Sequence, residues 1–219
     1  FERQAMYFAS RGMIAISAEY RIKSKHGTTP FESIEDAKSA IRFVRKNSKS
    51  YSINNQRIAA AGGSAGGHLA ASTANVKGFE NSNENLQVSS KPNALVLYNP
   101  VLDTGPDAWG YNSFLRRMDG KMTINPIEGS PFHGISKDSP PTIILTGTND
   151  KIVSVEMISR YKKKMESFNV RCDVIFYDGA EHSFFNKGED FIDTLLKSDL
   201  FLKSNWYLEG NPTVKKQYQ

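Results

Sequence analysis

One cysteine, Cys172, and four histidines are all that this 219-residue sequence offers for thiolate or imidazole chemistry. A lone cysteine excludes an internal disulfide and any cysteine-rich metal cluster. No apolar run approaches the roughly 20 residues that a membrane-crossing helix needs, so no membrane insertion is expected. Excess charge is small: 28 Lys and Arg against 23 Asp and Glu give a net charge of +5. The basic residues are scattered. Their one short run, Lys162, Lys163 and Lys164, reads as a solvated helix face. Nucleic-acid motifs, internal repeats, low-complexity tracts and linkers are all missing, and no nucleic-acid partner is expected. Hydrophobic residues at 39% and charged residues at 23% exclude a disordered or fibrous chain. At this length a single domain over residues 1–219 is the default. Composition assigns neither a compartment nor an oligomeric state.

What is present alternates between two patterns. Short apolar runs read as strands covered on both faces: Met13 to Ser17, Arg57 to Ala61, Ala94 to Tyr98, Thr142 to Thr146 and Cys172 to Tyr177. Between them lie segments with helical spacing. Thr29, Pro30 and Glu32 fit a capping box with proline at the first helical position, and Ile34, Ala37, Ile41 and Val44 follow at steps of three and four. Ile158, Tyr161, Met165 and Phe168 form a second stripe. Phe191, Leu195, Leu202 and Trp206 form a third. Phe1, Ala5 and Phe8 suggest an opening helix that Gly12 stops. Strand–helix alternation predicts an α/β fold: a mostly parallel sheet with helices on both faces. A crossover helix follows a strand of the same sheet. None precedes Phe1, so the chain is expected to begin inside a βαβ unit.

The most specific motif is Gly62, Ser64 and Gly66, a G-x-S-x-G within Ala61-Gly62-Gly63-Ser64-Ala65-Gly66-Gly67-His68. A predicted strand leads in and a predicted helix leads out. In that context the motif predicts a nucleophile elbow, which lifts the serine oxygen above the sheet and aims helix N–H groups at a developing anion. The backbone N–H of Ala65 is the candidate oxyanion donor. The bland alternative is a glycine-rich structural turn.

A serine nucleophile needs a base, and the base needs an orienting carboxylate. The chain order expected for this fold is serine, acid, histidine. His26 falls in a loop before the capped helix. His68 is one turn past Ser64, which suits packing or polar support. His133 lies in an irregular Pro/Gly-rich segment. His182 follows the last predicted strand, where ligand-facing residues of an open α/β sheet gather, and is the candidate base. Asp150, just past the predicted strand at Thr142, is the candidate acid. Asp103 is its main competitor. Asp178 is close to His182 on one turn and suits turn capping.

These residues resemble an α/β-hydrolase esterase. Gly62 to Ala70, read as G-G-S-A-G-G-H-L-A, is similar to the nucleophile region of acetyl-esterase/lipase-type enzymes related to hormone-sensitive lipase. Within that group the chain resembles bacterial carbohydrate acetyl esterases and feruloyl-esterase-like proteins. Ala18-Glu19-Tyr20-Arg21, Asp36-Ala37, Arg57-Ile58, Ser130-Pro131 and Pro140-Pro141 carry the resemblance along nearly the whole chain. It implies hydrolysis of short-chain carboxylic esters, including acyl groups on carbohydrates, with no metal and no organic cofactor. It also implies a His-Gly-Gly-Gly-type oxyanion loop before the first helix. That motif does not occur in the sequence and its natural place is ahead of Phe1, so the expectation is an N-terminally incomplete hydrolase.

Residues 104–134 join two predicted strands and look irregular, with Trp109, Tyr111, Phe114 and Phe132 beside Gly105, Pro106 and Gly110. They are expected to form a small lid or acyl-pocket wall, with Trp109, Tyr111 and Phe114 touching substrate; the alternative is an extra packing layer. Two other functional readings stay open here. One is a prolyl-oligopeptidase-type serine peptidase with the same triad order. The other is a catalytically silent ligand-binding relative.

Overall fold

The computed structural model describes residues 1–118 and 124–218. Its sheet has four parallel strands in the order β1-β2-β3-β4: β1 Ala59–Gly63, β2 Ala94–Tyr98, β3 Thr142–Gly147 and β4 Cys172–Tyr177. Register follows the chain, with Ala61 opposite Val96, Val96 opposite Ile143 and Ile143 opposite Asp173. The helices are α1 Glu2–Ser10, α2 Lys23–His26, α3 Pro30–Lys46, α4 Ala65–Asn75, α5 Trp109–Arg117, α6 Val155–Ser167, α7 Gly188–Ser204 and α8 Val214–Tyr218.

Every residue of β2 and β3 is buried, as their unbroken apolar runs require. Alternation along β2 divides the core in two. Leu95 and Leu97 face one side, against Ala70 and Ala71 of α4 and Ile158, Tyr161 and Met165 of α6. Ala94, Val96 and Tyr98 face the other, against Phe184, Phe185, Phe201 and Leu202. Helices therefore cover both faces, as the sequence pattern predicts.

Helix α3 begins as its capping box dictates. Thr29 Oγ1 accepts from the Phe31 N–H at 3.3 Å, and the Glu32 carboxylate accepts from the Thr29 N–H at 2.9 Å. Its polar side is not solvated throughout: Lys38 and Arg42 are buried. Lys38 Nζ donates to the carbonyls of Val76 and Gly78 and to Glu80, while Arg42 reaches Glu80, Glu84 and the Val88 carbonyl. These bonds tie the segment after α4 to α3.

Several expectations need correction. Met13 to Ser17 is not a strand: it joins no ladder, and Ile14 and Ile16 are exposed. A cavity of about 460 Å³ separates it from β1, walled by Ala5 and Phe8 of α1 and by Ala37, Ile41 and Val44 of α3. A β-branched run becomes a strand only where a neighbour accepts its backbone bonds. Phe168 lies at the end of α6 and is exposed, so the stripe stops at Met165. Trp206 falls beyond α7 and is 78% exposed, because the helix ends at Ser204.

The clamp of α1 onto α7 was not apparent from the sequence. Asp199, fully buried on α7, accepts from Tyr7 Oη at 2.5 Å and from Arg11 Nε at 2.6 Å. Burial and this carboxylate push the Tyr7 phenol up to about 12. Removing one partner of a buried pair leaves the other charge uncompensated, at a cost of about 3–5 kcal/mol. Asp199→Ala is therefore expected to lower the melting temperature by roughly 10 °C, read by calorimetry. A shift of a degree or two would show the clamp to be dispensable.

Candidate active site

Ser64 sits between the end of β1 and the start of α4 with φ +53° and ψ −120°. That is a strained conformation for any residue with a Cβ, and strain of this kind gathers at functional sites. Two features hold it. The Ser64 N–H donates to the Tyr98 carbonyl at 2.9 Å, and Gly62 packs so tightly that a Cβ there would lie 2.4 Å from the backbone of Gly66. Gly66 itself has open space where its Cβ would point, so the close approach demands the first glycine of the motif and not the last. The Ala65 N–H opens α4 and is among the N–H groups that a helix leaves without an internal partner.

The loops after β3 and β4 bring the other two candidates to this turn. His182 Nε2 lies 2.8 Å from Ser64 Oγ. His182 Nδ1 lies 2.7 Å from Asp150 Oδ2. Asp150 is anchored from behind, its Oδ1 accepting from the N–H groups of Ile152 at 2.8 Å and Val153 at 3.1 Å. Its carboxylate is fully buried, while the imidazole is partly open. The hydrogen-bond pattern fixes the tautomer: Nδ1–H donates to the carboxylate, leaving the Nε2 lone pair to accept from the serine hydroxyl. The loops also hold each other, with the N–H groups of Thr148 and Asn149 donating to the carbonyls of Tyr177 and Ala180.

The competing residues lie elsewhere. Asp103 is buried in a separate cluster, where its Oδ1 accepts from the Gly105 N–H at 2.8 Å and lies 3.5 Å from His133 Nδ1. Asp178 accepts from the Thr148 hydroxyl at 3.2 Å and so bridges the two loops rather than closing its own turn. His26 ends α2 instead of lying in a loop, and its Nδ1 accepts from the Ile22 N–H. Phe114 faces the core, with ring centroids 5.6 Å from Phe31 and 5.2 Å from His68. This corrects its expected place in a substrate wall. Trp109 is exposed at the start of α5 beneath Arg116, and Tyr111 is half-buried on the same helix. The 104–134 segment is less irregular than expected, since it contains α5 and a 3-10 turn at Pro126–Gly129. Its residues 119–123 lie outside the described residues. Among the described residues no group of His, Cys, Asp and Glu is arranged to hold a metal ion.

A parallel sheet with an elbow-borne serine after β1, and an acid and a histidine following it in that chain order on the loops after β3 and β4, matches the α/β-hydrolase fold. Comparison with known proteins narrows the class. The BD-FAE family model matches residues 2–106, and the dienelactone hydrolase family model matches residues 128–200. Esterase 2 of Thermogutta terrifontis, solved phosphoramylated by tabun, is 37% identical over 96% of this chain and 78% of its own, with a TM-score of 0.89. The acetylxylan esterase of Xylanibacter ruminicola is 26% identical over 94% of this chain and 41% of its own length. Esterase LipC of Mycobacterium tuberculosis is 26% identical over 80% of this chain and 46% of its own. The chain thus spans less than half the length of these curated relatives. It belongs to the α/β-hydrolase esterase family.

His68, the second residue that the motif carries along, is support. It is buried on α4, its Nδ1–H donating to the Val101 carbonyl at 2.9 Å, and burial pushes its imidazole down to about 4 from 6.5. Above pH 6.5 the imidazole is neutral in both folded and unfolded chains, and its contribution is fully present. As pH falls from 6.5 through 4, the unfolded chain takes up a proton that the folded chain refuses. The linked loss is about 3 kcal/mol. In urea titrations at several pH values, His68→Gln is expected to flatten the decline of stability across this window. An unchanged slope would remove His68 as its source.

Proposed function

We propose that this chain is a serine esterase acting on short-chain carboxylic esters through Ser64, His182 and Asp150. One observation carries the reading: a single imidazole shared between a strained, elbow-borne hydroxyl at 2.8 Å and a buried carboxylate at 2.7 Å. In the first half-reaction Ser64 Oγ attacks the ester carbonyl carbon, and its proton passes to His182 Nε2. Asp150 holds the Nδ1–H and stabilises the imidazolium. The carbonyl oxygen, now an oxyanion, accepts from the Ala65 N–H. Collapse of the intermediate breaks the ester C–O bond, and Nε2 protonates the departing alkoxide. Water then attacks the acyl-serine with Nε2 as base, releasing the acid and restoring the serine. The protein groups named here supply every proton transfer.

The substrate class rests on the relatives. Structures of the Thermogutta esterase contain propionate and butyrate. One curated relative is an acetylxylan esterase and another is an endo-1,4-beta-xylanase, 29% identical over 71% of this chain. Acetyl and other short acyl groups on carbohydrates are therefore the proposed natural substrates, with Trp109 and Tyr111 as residues that would meet them.

The test is turnover of p-nitrophenyl esters from acetate to octanoate by the full-length enzyme and two variants. Wild-type rates should fall as the acyl chain lengthens. Ser64→Gly should abolish turnover while stabilising the fold by about 1 kcal/mol, because glycine relieves the positive φ. Asp150→Asn should cost about 10⁴-fold in kcat by leaving the imidazole in the wrong tautomer, whereas Asp103→Asn should cost far less. Retained turnover in Ser64→Gly would overturn the nucleophile assignment. Cleavage of a prolyl peptide anilide without ester turnover would favour a peptidase, and inactivity on both a silent relative.

A further inference from the structure

Strand β2 ends at Tyr98 and Asn99 follows it, and the three segments bearing Ser64, Asp150 and His182 all bond to the Tyr98-Asn99 dipeptide. The Tyr98 carbonyl accepts the Ser64 N–H, as described above. Asn99 Oδ1 accepts from the N–H of Gly147, the last residue of β3 before the Asp150 loop, at 2.9 Å. Asn99 Nδ2 donates to the carbonyl of Glu181, the residue before His182, at 3.3 Å. Asn99 is fully buried and has φ +39°, a region that asparagine tolerates better than most residues. Both polar ends of a buried amide are thus used, and each goes to a different loop of the site.

Space around these bonds is tight. A Cβ on Gly147 would lie 2.2 Å from the Ala180 carbonyl oxygen, so the acid loop and the histidine loop are in direct backbone contact at the level of the amide. Their mutual bonds hold them to each other but not to the Ser64 turn. The bond from the Ser64 N–H to Tyr98 and the two from the Asn99 amide supply that third reference.

The geometry points to Asn99 as a positioning residue, whose amide sets the imidazole–carboxylate pair at its distance from Ser64. This rests on the serine-hydrolase reading above. Asn99 lies behind the loops and touches none of the reacting atoms, so its loss should act on kcat and spare KM. Misplacement of a catalytic group by about 1 Å costs on the order of 10²-fold, and a loss of 10- to 100-fold is expected here.

Two substitutions in the full-length protein test this with p-nitrophenyl acetate. Asn99→Gly removes the amide and relieves the positive φ. Asn99→Asp keeps the size and the acceptor for Gly147, but sets an oxygen against the Glu181 carbonyl. Each should lower kcat by about 10- to 100-fold with KM within about twofold. The decisive readout is a cycle with Asp150→Asn. If the amide works through the imidazole–carboxylate pair, Asn99→Gly should cost no more than about threefold once that pair is already broken. An equal loss in both backgrounds would make Asn99 merely structural and overturn the inference. So would wild-type kcat in both single variants, or failure of both to fold. Ser64→Gly keeps the two readings apart. Turnover surviving in it sinks the serine-hydrolase reading, whereas an inactive Ser64→Gly beside fully active Asn99 variants sinks this inference alone.

Discussion

The backbone of Ser64 is the constraint around which the molecule is arranged. At φ +53° and ψ −120° it costs about 1–3 kcal/mol unless its surroundings over-determine it. Those surroundings are β1 and α4, whose approach leaves no room for a methyl group on Gly62, and β2, whose last carbonyl takes the serine N–H. The turn therefore exists only when β1 and β2 are paired and α4 is seated. Helix α4 is nearly all small residues from Ala65 to Ala74, which lets it lie close against the sheet. Packing so close leaves little freedom in how the serine oxygen is presented.

Charge is handled differently near the site and away from it. Lys38, Arg42 and Asp199 are buried far from the serine, each with two or more partners, and they fasten helices and long connections to one another. Their partners lie tens to hundreds of residues away in sequence, so such networks form only after the chain has collapsed. Asp150 is stabilised locally instead. Two N–H groups within three residues of it donate to the buried carboxylate, and the His182 Nδ1–H supplies the third bond. A locally satisfied acid can be buried without a cation beside it. An adjacent Lys or Arg would compete with the imidazolium that the proposed reaction forms.

This contrast explains what the sequence disclosed. Strands β2 and β3 were legible because their apolar runs suit strands covered on both faces, and every residue of both is buried. Strand β4 was located by a similar run, but Asp173 interrupts it and beyond Cys172 it is only half-buried or exposed, so it is not covered on both faces as expected. The elbow was legible because strand, glycines and helix are contiguous. Candidate residues on loops at the carboxyl ends of those strands follow from the same logic, and His182 and Asp150 meet Ser64 there. Non-local facts were not legible. The apolar run Met13 to Ser17 looks like a strand, but pairing is a property of two segments. Phe114 reads equally well as pocket wall or core, and only its neighbours Phe31 and His68 decide. Asn99 offered a weak signal: an asparagine before proline at a strand end suits a turn. Nothing local says that both ends of its amide are used.

The way the loops are held bears on how the site could be ready before substrate arrives. Beyond the last paired residues of β3 and β4, backbone bonds continue from Thr148 to Tyr177 and from Asn149 to Ala180. The Thr148 hydroxyl then accepts the Gly179 N–H at 2.8 Å. Sheet-like bonding is thus carried past the sheet, up to the residues flanking Asp150 and His182. Loops that carry a site are often drawn from the less stable parts of a fold, and some close only on substrate. Here the ordering entropy of both loops is charged to folding, offset by the buried strands beneath them. An imidazole already aligned on both its nitrogens needs little reorganisation when charge develops on it, which is the condition under which fixed dipoles contribute most to a transition state.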